Sequence, residues 1–146
     1  MNSEKKTLLF LVDDDALFLK TLEVEFGYNS DFSIRTFATG EQCLENISQN
    51  PDVIILDYCL NSIDVDTING IDTLDKIRSA NPLIPVIMLS SQDKIEVAVS
   101  CMKHMAFDYI VKSETAFIRL QKDINTIFQN QKREKALTWY MDKMSS

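Results

Sequence analysis

Basic residues are in short supply. Fifteen lysines and arginines stand against 22 aspartates and glutamates, a net charge of −7. A duplex-binding module needs a basic face to neutralise phosphates, and none is visible, so direct nucleic-acid binding is not expected. The three cysteines, Cys43, Cys59 and Cys101, are odd in number and widely spaced. That pattern gives neither a disulfide framework nor a zinc site, and they read as reduced thiols, mostly buried. No apolar run reaches the ~20 residues of a membrane span. After a polar start, Met1 to Lys6, the apolar stretch Thr7–Val12 is too short for a signal-peptide core and runs into three aspartates. The expectation is a cytoplasmic chain without membrane contact. The single histidine, His104, has no kinase-like helical pair around it and reads as a surface or packing residue.

What is present is an alternation of short apolar runs with longer amphipathic segments. The 146 residues suit one domain with a real core. Thr7–Val12 (TLLFLV), Val53–Leu56 (VIIL) and Val86–Leu89 (VIML) read as buried strands. Phe32–Phe37 and the brief Tyr109–Val111 complete a set of five. Helices are predicted over Ala16–Phe26, Glu41–Gln49 with Thr39 as cap, Ile71–Ala80, Lys94–Met105 and from Thr115 onward. There is no repeat and no low-complexity segment. Strict strand–helix alternation with short connections predicts an α/β fold, a parallel sheet with helices on both faces.

In such sheets reactive groups gather beyond the carboxyl ends of the strands. The first strand is followed by Asp13, Asp14 and Asp15, and the third by Asp57. The fourth is followed by Ser90 and Ser91, and the fifth by Lys112. Several carboxylates, a hydroxyl and an ammonium would therefore share one crevice. Crowded carboxylates repel, and a hard divalent ion such as Mg²⁺ relieves this. A carboxylate beside such an ion can attack a phosphoryl donor and form an acyl phosphate. Asp15 reads as the cap of the first helix, and Ser91 as a bystander.

The matched stretches VDDD, ILD, MLSS and DYIVK, in order at the strand ends, resemble the receiver domain of two-component response regulators, the CheY-like family. The likeness covers about Lys6 to Phe128. It implies a doubly wound five-stranded parallel sheet in the flavodoxin-like order 2-1-3-4-5. By the family's pattern Asp13 and Asp14 are the acidic pair and Asp57 is the phosphoacceptor. Ser90 matches the hydroxyl that contacts the phosphoryl group, and Lys112 the family lysine. Asp14 and Asp57 would ligate Mg²⁺ directly, with the backbone carbonyl of Cys59 completing the shell. Tyr109 matches the aromatic switch residue coupled to Ser90, and Cys59 and Gln92 occupy the positions that tune dephosphorylation. The implied partners are a sensor histidine kinase or phosphotransfer protein and a downstream protein target. The implied chemistry is limited to the domain's own phosphorylation and dephosphorylation, so it is not an enzyme acting on other substrates.

The sequence departs from the family in two places. The glycine expected soon after the acceptor stands only at Gly70, so Asn61–Asn69 reads as containing an insertion, with Asp64 and Asp66 adding negative charge. Ser113 replaces the usual proline after Lys112. Three rival readings are weaker. Asp13-x-Asp15 is similar to the motif of haloacid-dehalogenase-type phosphatases, but that reading leaves Asp57 without a role. A flavodoxin-like FMN module needs a glycine-rich phosphate loop where three aspartates stand. A pseudo-receiver without phosphorylation would have no use for the complete acidic set.

The domain reading is a receiver over residues 1–128 and a C-terminal helical extension over residues 129–146. Gln129–Lys135 is polar, and Ala136–Met144 turns apolar again. The extension either folds back on its own domain or serves as a homodimer contact or linker. No DNA-binding or ATPase segment is recognised after the receiver. The chain reads as a stand-alone regulator or as the first piece of a longer one.

Overall fold

The computed structural model describes residues 6–145; the polar start at residues 1–5 and residue 146 lie outside the described residues. Five strands alternate with five helices. In chain order these are β1 (Thr7–Val12), α1 (Ala16–Gly27), β2 (Phe32–Phe37), α2 (Gly40–Glu45) and β3 (Val53–Asp57). They continue as α3 (Gly70–Ala80), β4 (Val86–Ser90), α4 (Ile95–Lys103), β5 (Asp108–Val111) and α5 (Ala116–Met144). All pairings are parallel, in the order β2-β1-β3-β4-β5. The doubly wound sheet and its strand order are those expected.

The central strands β3 and β4 are apolar up to their last residues, Asp57 and Ser90, because both faces are covered. Alternate residues serve opposite layers. Phe10, Val12, Ile54, Leu56, Val86 and Met88 pack against Cys43 of α2, Leu74 and Ile77 of α3, and Val97 and Cys101 of α4. Leu9, Leu11, Ile55, Ile87 and Leu89 pack against Leu22 and Phe26 of α1 and Leu120, Ile124 and Ile127 of α5. At ~25 cal/mol per Å² of apolar surface removed from water, these two layers are the main stabilising term.

Several helix bounds differ from those read in the sequence. The segment expected as one helix to Gln49 is α2 plus a short 3₁₀ turn, Ile47–Gln49, because the Asn46 side chain donates to the Gln42 carbonyl and breaks the ladder. The fourth helix is shorter than Lys94–Met105. It stops at His104, and Met105 takes a left-handed φ of 70° that turns the chain toward β5. At the C-terminus α5 is one continuous 29-residue helix. Its last part does not fold back: Leu137, Trp139, Tyr140, Met141 and Met144 are all exposed. Apart from Asn130, the polar stretch between 129 and 135 consists of good helix formers, and it contains no Gly or Pro. Among the described residues no helix is long and apolar enough to cross a membrane.

Candidate functional site

The register of the sheet builds the site. Val12 pairs with Leu56, Asp57 with Leu89, and Ser90 with Val111. Asp13, Asp57, Ser90 and Lys112 therefore emerge side by side at the carboxyl edge of β1, β3, β4 and β5. Asp13, Asp57 and Ser90 are all at most 3% exposed. One carboxylate oxygen each from Asp13, Asp14 and Asp57 lies within 4.8 Å of the others.

The Lys112 ammonium reaches this cluster. It lies 2.8 Å from Asp13 Oδ2 and 3.4 Å from Asp57 Oδ1. Its position is braced by the Phe18 ring, whose centroid is 4.5 Å away. Its backbone amide donates to the Ser90 carbonyl at 2.7 Å. Burial alone would lower the lysine pKa, but the hydrogen bond to Asp13 and the charges of Asp57 and Asp13 outweigh it and raise the pKa. Asp57 is pushed well above the usual carboxylate range, to about 7. Burial is the largest cause and the Asp13 charge the next; Lys112 and the backbone N–H of Cys59 pull the other way.

This donor set fits a small hard cation. All three side chains offer oxygen, they converge, and the one ammonium nearby does not cancel the effects of burial and of the Asp13 charge on Asp57. Asp13 Oδ2 is buried, and the Lys112 ammonium is its partner.

Ser90, Gln92, Tyr109 and Cys59 are joined by contacts beside this cluster. Ser90 Oγ accepts from the Gln92 amide at 3.0 Å. Half-buried Tyr109 donates its phenol to the Gln92 carbonyl. Gln92 and Cys59 face each other, with Nε2 3.9 Å from Sγ. Cys43 and Cys101 are buried free thiols, and Cys59 is half-buried. Asp15 caps α1, its Oδ1 accepting from the amides of Leu17 and Phe18 at 3.1 and 3.2 Å. His104, outside the cluster, pairs with Asp75 at 2.7 Å.

Three features were not read from the sequence. Phe18 supports Lys112, and Ser62 and Ile63 of the long loop bind Asp14. Gly70 is required by close approach: a Cβ there would lie 2.4 Å from the Asp57 carbonyl and 2.7 Å from Tyr58 Cα. The late glycine at the end of the insertion was the available signal for this last contact.

Known proteins resemble this chain over most of its length. A family model for the response regulator receiver domain matches residues 9–125. The chain is 31% identical over 107 residues to the transcriptional regulatory protein ZraR of Escherichia coli K12, covering 71% of this chain and 22% of that protein. It is 29% identical over 109 residues to the DNA-binding transcriptional regulator NtrC of the same strain, covering 74% of this chain and 22% of that protein. The chain thus spans about a fifth of the length of these relatives. Among solved structures, the receiver domain of the Francisella response regulator 1452 matches with a TM-score of 0.73 at 25% identity, covering 86% of this chain and 99% of that one.

Proposed function

This chain belongs to the response regulator receiver family, whose function is phosphorelay signalling in two-component systems, and from that premise we propose that Asp57 is its phosphoacceptor. The observation that carries the reading is the convergence of Asp13, Asp14 and Asp57 beside the Lys112 ammonium and the Ser90 hydroxyl. In this reading an Asp57 carboxylate oxygen attacks the phosphorus of a phosphohistidine on a sensor kinase or phosphotransfer protein, or of a small acyl phosphate. The new bond is P–O to Asp57; the bond broken is P–N to the imidazole or P–O to the small donor, and its electron pair leaves with that group. The Lys112 ammonium pairs with one phosphoryl oxygen and the Ser90 hydroxyl donates to another, so both act where negative charge develops. A magnesium ion held by Asp13, Asp14, Asp57 and the Cys59 backbone carbonyl would supply positive charge that offsets the crowded carboxylates and the phosphoryl oxygens.

Slow self-hydrolysis follows the same geometry. Water attacks phosphorus in line, the P–O bond to Asp57 breaks, and inorganic phosphate leaves. Cys59 and Gln92, in contact across the mouth of the site, are placed to govern that water's access. The signal leaves through Ser90 and Tyr109 toward α4, β5 and α5 and reaches a downstream protein. We take residues 1–128 as the receiver and 129–146 as a helical extension, and the exchange as cytoplasmic. A beryllofluoride phosphate mimic with Mg²⁺ tests the reading: the amide resonances around Ser90 should shift and Asp57→Asn should abolish the response. A response that survives the substitution would overturn the site assignment.

A further inference from the structure

Asp14 differs from the other two carboxylates in how it is held. Its Oδ2 accepts three hydrogen bonds from the long β3–α3 loop: from the Ser62 hydroxyl at 2.6 Å, the Ser62 amide at 3.1 Å and the Ile63 amide at 3.2 Å. A carboxylate oxygen has two lone pairs, so these donors saturate Oδ2. The oxygen left for another ligand is Oδ1.

The loop that makes this contact is built to hold its shape. Thr67 Oγ1 donates to the Asp64 carbonyl at 2.6 Å and the Asp66 amide to Asp64 Oδ1 at 3.1 Å. At its far end the Ile68 amide donates to Glu41 Oε2 at 3.1 Å, and the Gly70 amide to the Tyr58 carbonyl at 3.1 Å. Much of the conformational entropy needed to bring Ser62 to Asp14 is therefore already lost when the loop folds. The donors meet a side chain that a bound cation would otherwise have to order by itself.

We propose that Ser62 is a positioning residue for the divalent cation. By gripping Asp14 through Oδ2 it presents Oδ1 to the ion, so the inserted loop is part of the metal-binding apparatus. This rests on the metal reading of the Asp13, Asp14 and Asp57 cluster. It gives the insertion a function in ion affinity, and the extra negative charge of Asp64 and Asp66 is then borne on a loop that strengthens cation binding.

The test is a Mg²⁺ titration of the whole chain, followed by the backbone amide shifts of Asp57 and Tyr58, for wild type, Ser62→Ala and Ser62→Thr. Losing one hydrogen bond to a charged, half-exposed carboxylate should weaken Mg²⁺ binding about three- to tenfold in Ser62→Ala. Ser62→Thr keeps the hydroxyl and should stay within about twofold of wild type. Amides outside the loop and its contact at Asp13–Asp15 should be unmoved in the metal-free spectra of both variants. The proposal is overturned if Ser62→Ala binds Mg²⁺ as wild type does, or more tightly, since tighter binding would mean the serine competes with the ion. Equal weakening in Ala and Thr also overturns it, because loop packing rather than the hydroxyl would then set the affinity. Wild-type protein without saturable Mg²⁺ binding would remove the metal reading itself along with the proposal.

Discussion

Tyr109 and Ser90 share Gln92 as a partner: the Tyr109 phenol donates to the carbonyl of Gln92, and the amide of the same Gln92 donates to Ser90 Oγ. In the proposed reading, a movement of the Ser90 hydroxyl toward a phosphoryl group would break its bond to the Gln92 amide, on the residue whose carbonyl anchors the aromatic ring. Burial raises the phenol pKa, so the ring remains a proton donor across the neutral range. Tyr109→Phe should cost about 1 kcal/mol of stability. Phosphoryl uptake should be nearly unchanged, while the amide shifts of Ile95–Lys103 on phosphorylation become smaller. Loss of uptake in this variant would place Tyr109 in the chemistry rather than in the output.

Lys112 is the one ammonium in contact with Asp13 and Asp57 among the described residues. Replacing it by methionine keeps much of the stem that lies on Phe18 and removes the charge. Two buried carboxyls then face each other with no cation, and the Asp57 pKa should climb further. Phosphorylation by a small acyl phosphate at saturating Mg²⁺ should fall about a hundredfold, the usual effect of removing one preorganised charge at a developing oxyanion. A rate near that of wild type would mean the lysine serves the fold alone.

Away from the site, Asp123 of α5 is raised to about 7 by burial first, and then by its hydrogen bond to Asp108 and the Asp108 charge. Arg119, 3.7 Å from Asp108, and Lys122 oppose this only partly. A carboxyl with a folded pKa above its unfolded one binds more protons in the native state between about pH 4 and 7. Its contribution to stability is therefore fully present below the unfolded pKa and is lost as pH rises through the folded one. Asp123→Asn should leave the melting temperature at pH 4 nearly unchanged and raise it at pH 8, flattening the decline between them. Thermal melts across that window, on wild type and variant, check it; a variant less stable at pH 8 contradicts the assignment.

Much of this was legible because period and position carried it. Val53–Leu56 and Val86–Leu89 can be apolar throughout only if helices cover both faces, and that fixes a parallel sheet whose carboxyl edge holds Asp13, Asp57, Ser90 and Lys112. What escaped depended on contacts without a local signal. Ser62 meets Asp14 across 48 residues of chain, and no spacing rule connects an insertion to a carboxylate. Phe18 stands in α1 with no local mark of its place beside Lys112. The break at Asn46 and the early end of α4 reflect side chain–backbone bonds and a left-handed Met105, which compete with helix propensity only once the chain has packed.

One carboxylate, Asp57 at the end of β3, is the proposed phosphoryl acceptor. Treating the whole chain with acetyl phosphate and Mg²⁺, then mapping the adduct by tandem mass spectrometry, addresses it directly. A single phosphoryl group on Asp57, absent when Mg²⁺ is chelated and absent in Asp57→Asn, is the outcome this account requires. An adduct on any other residue, or one that persists at full yield in Asp57→Asn, would contradict it.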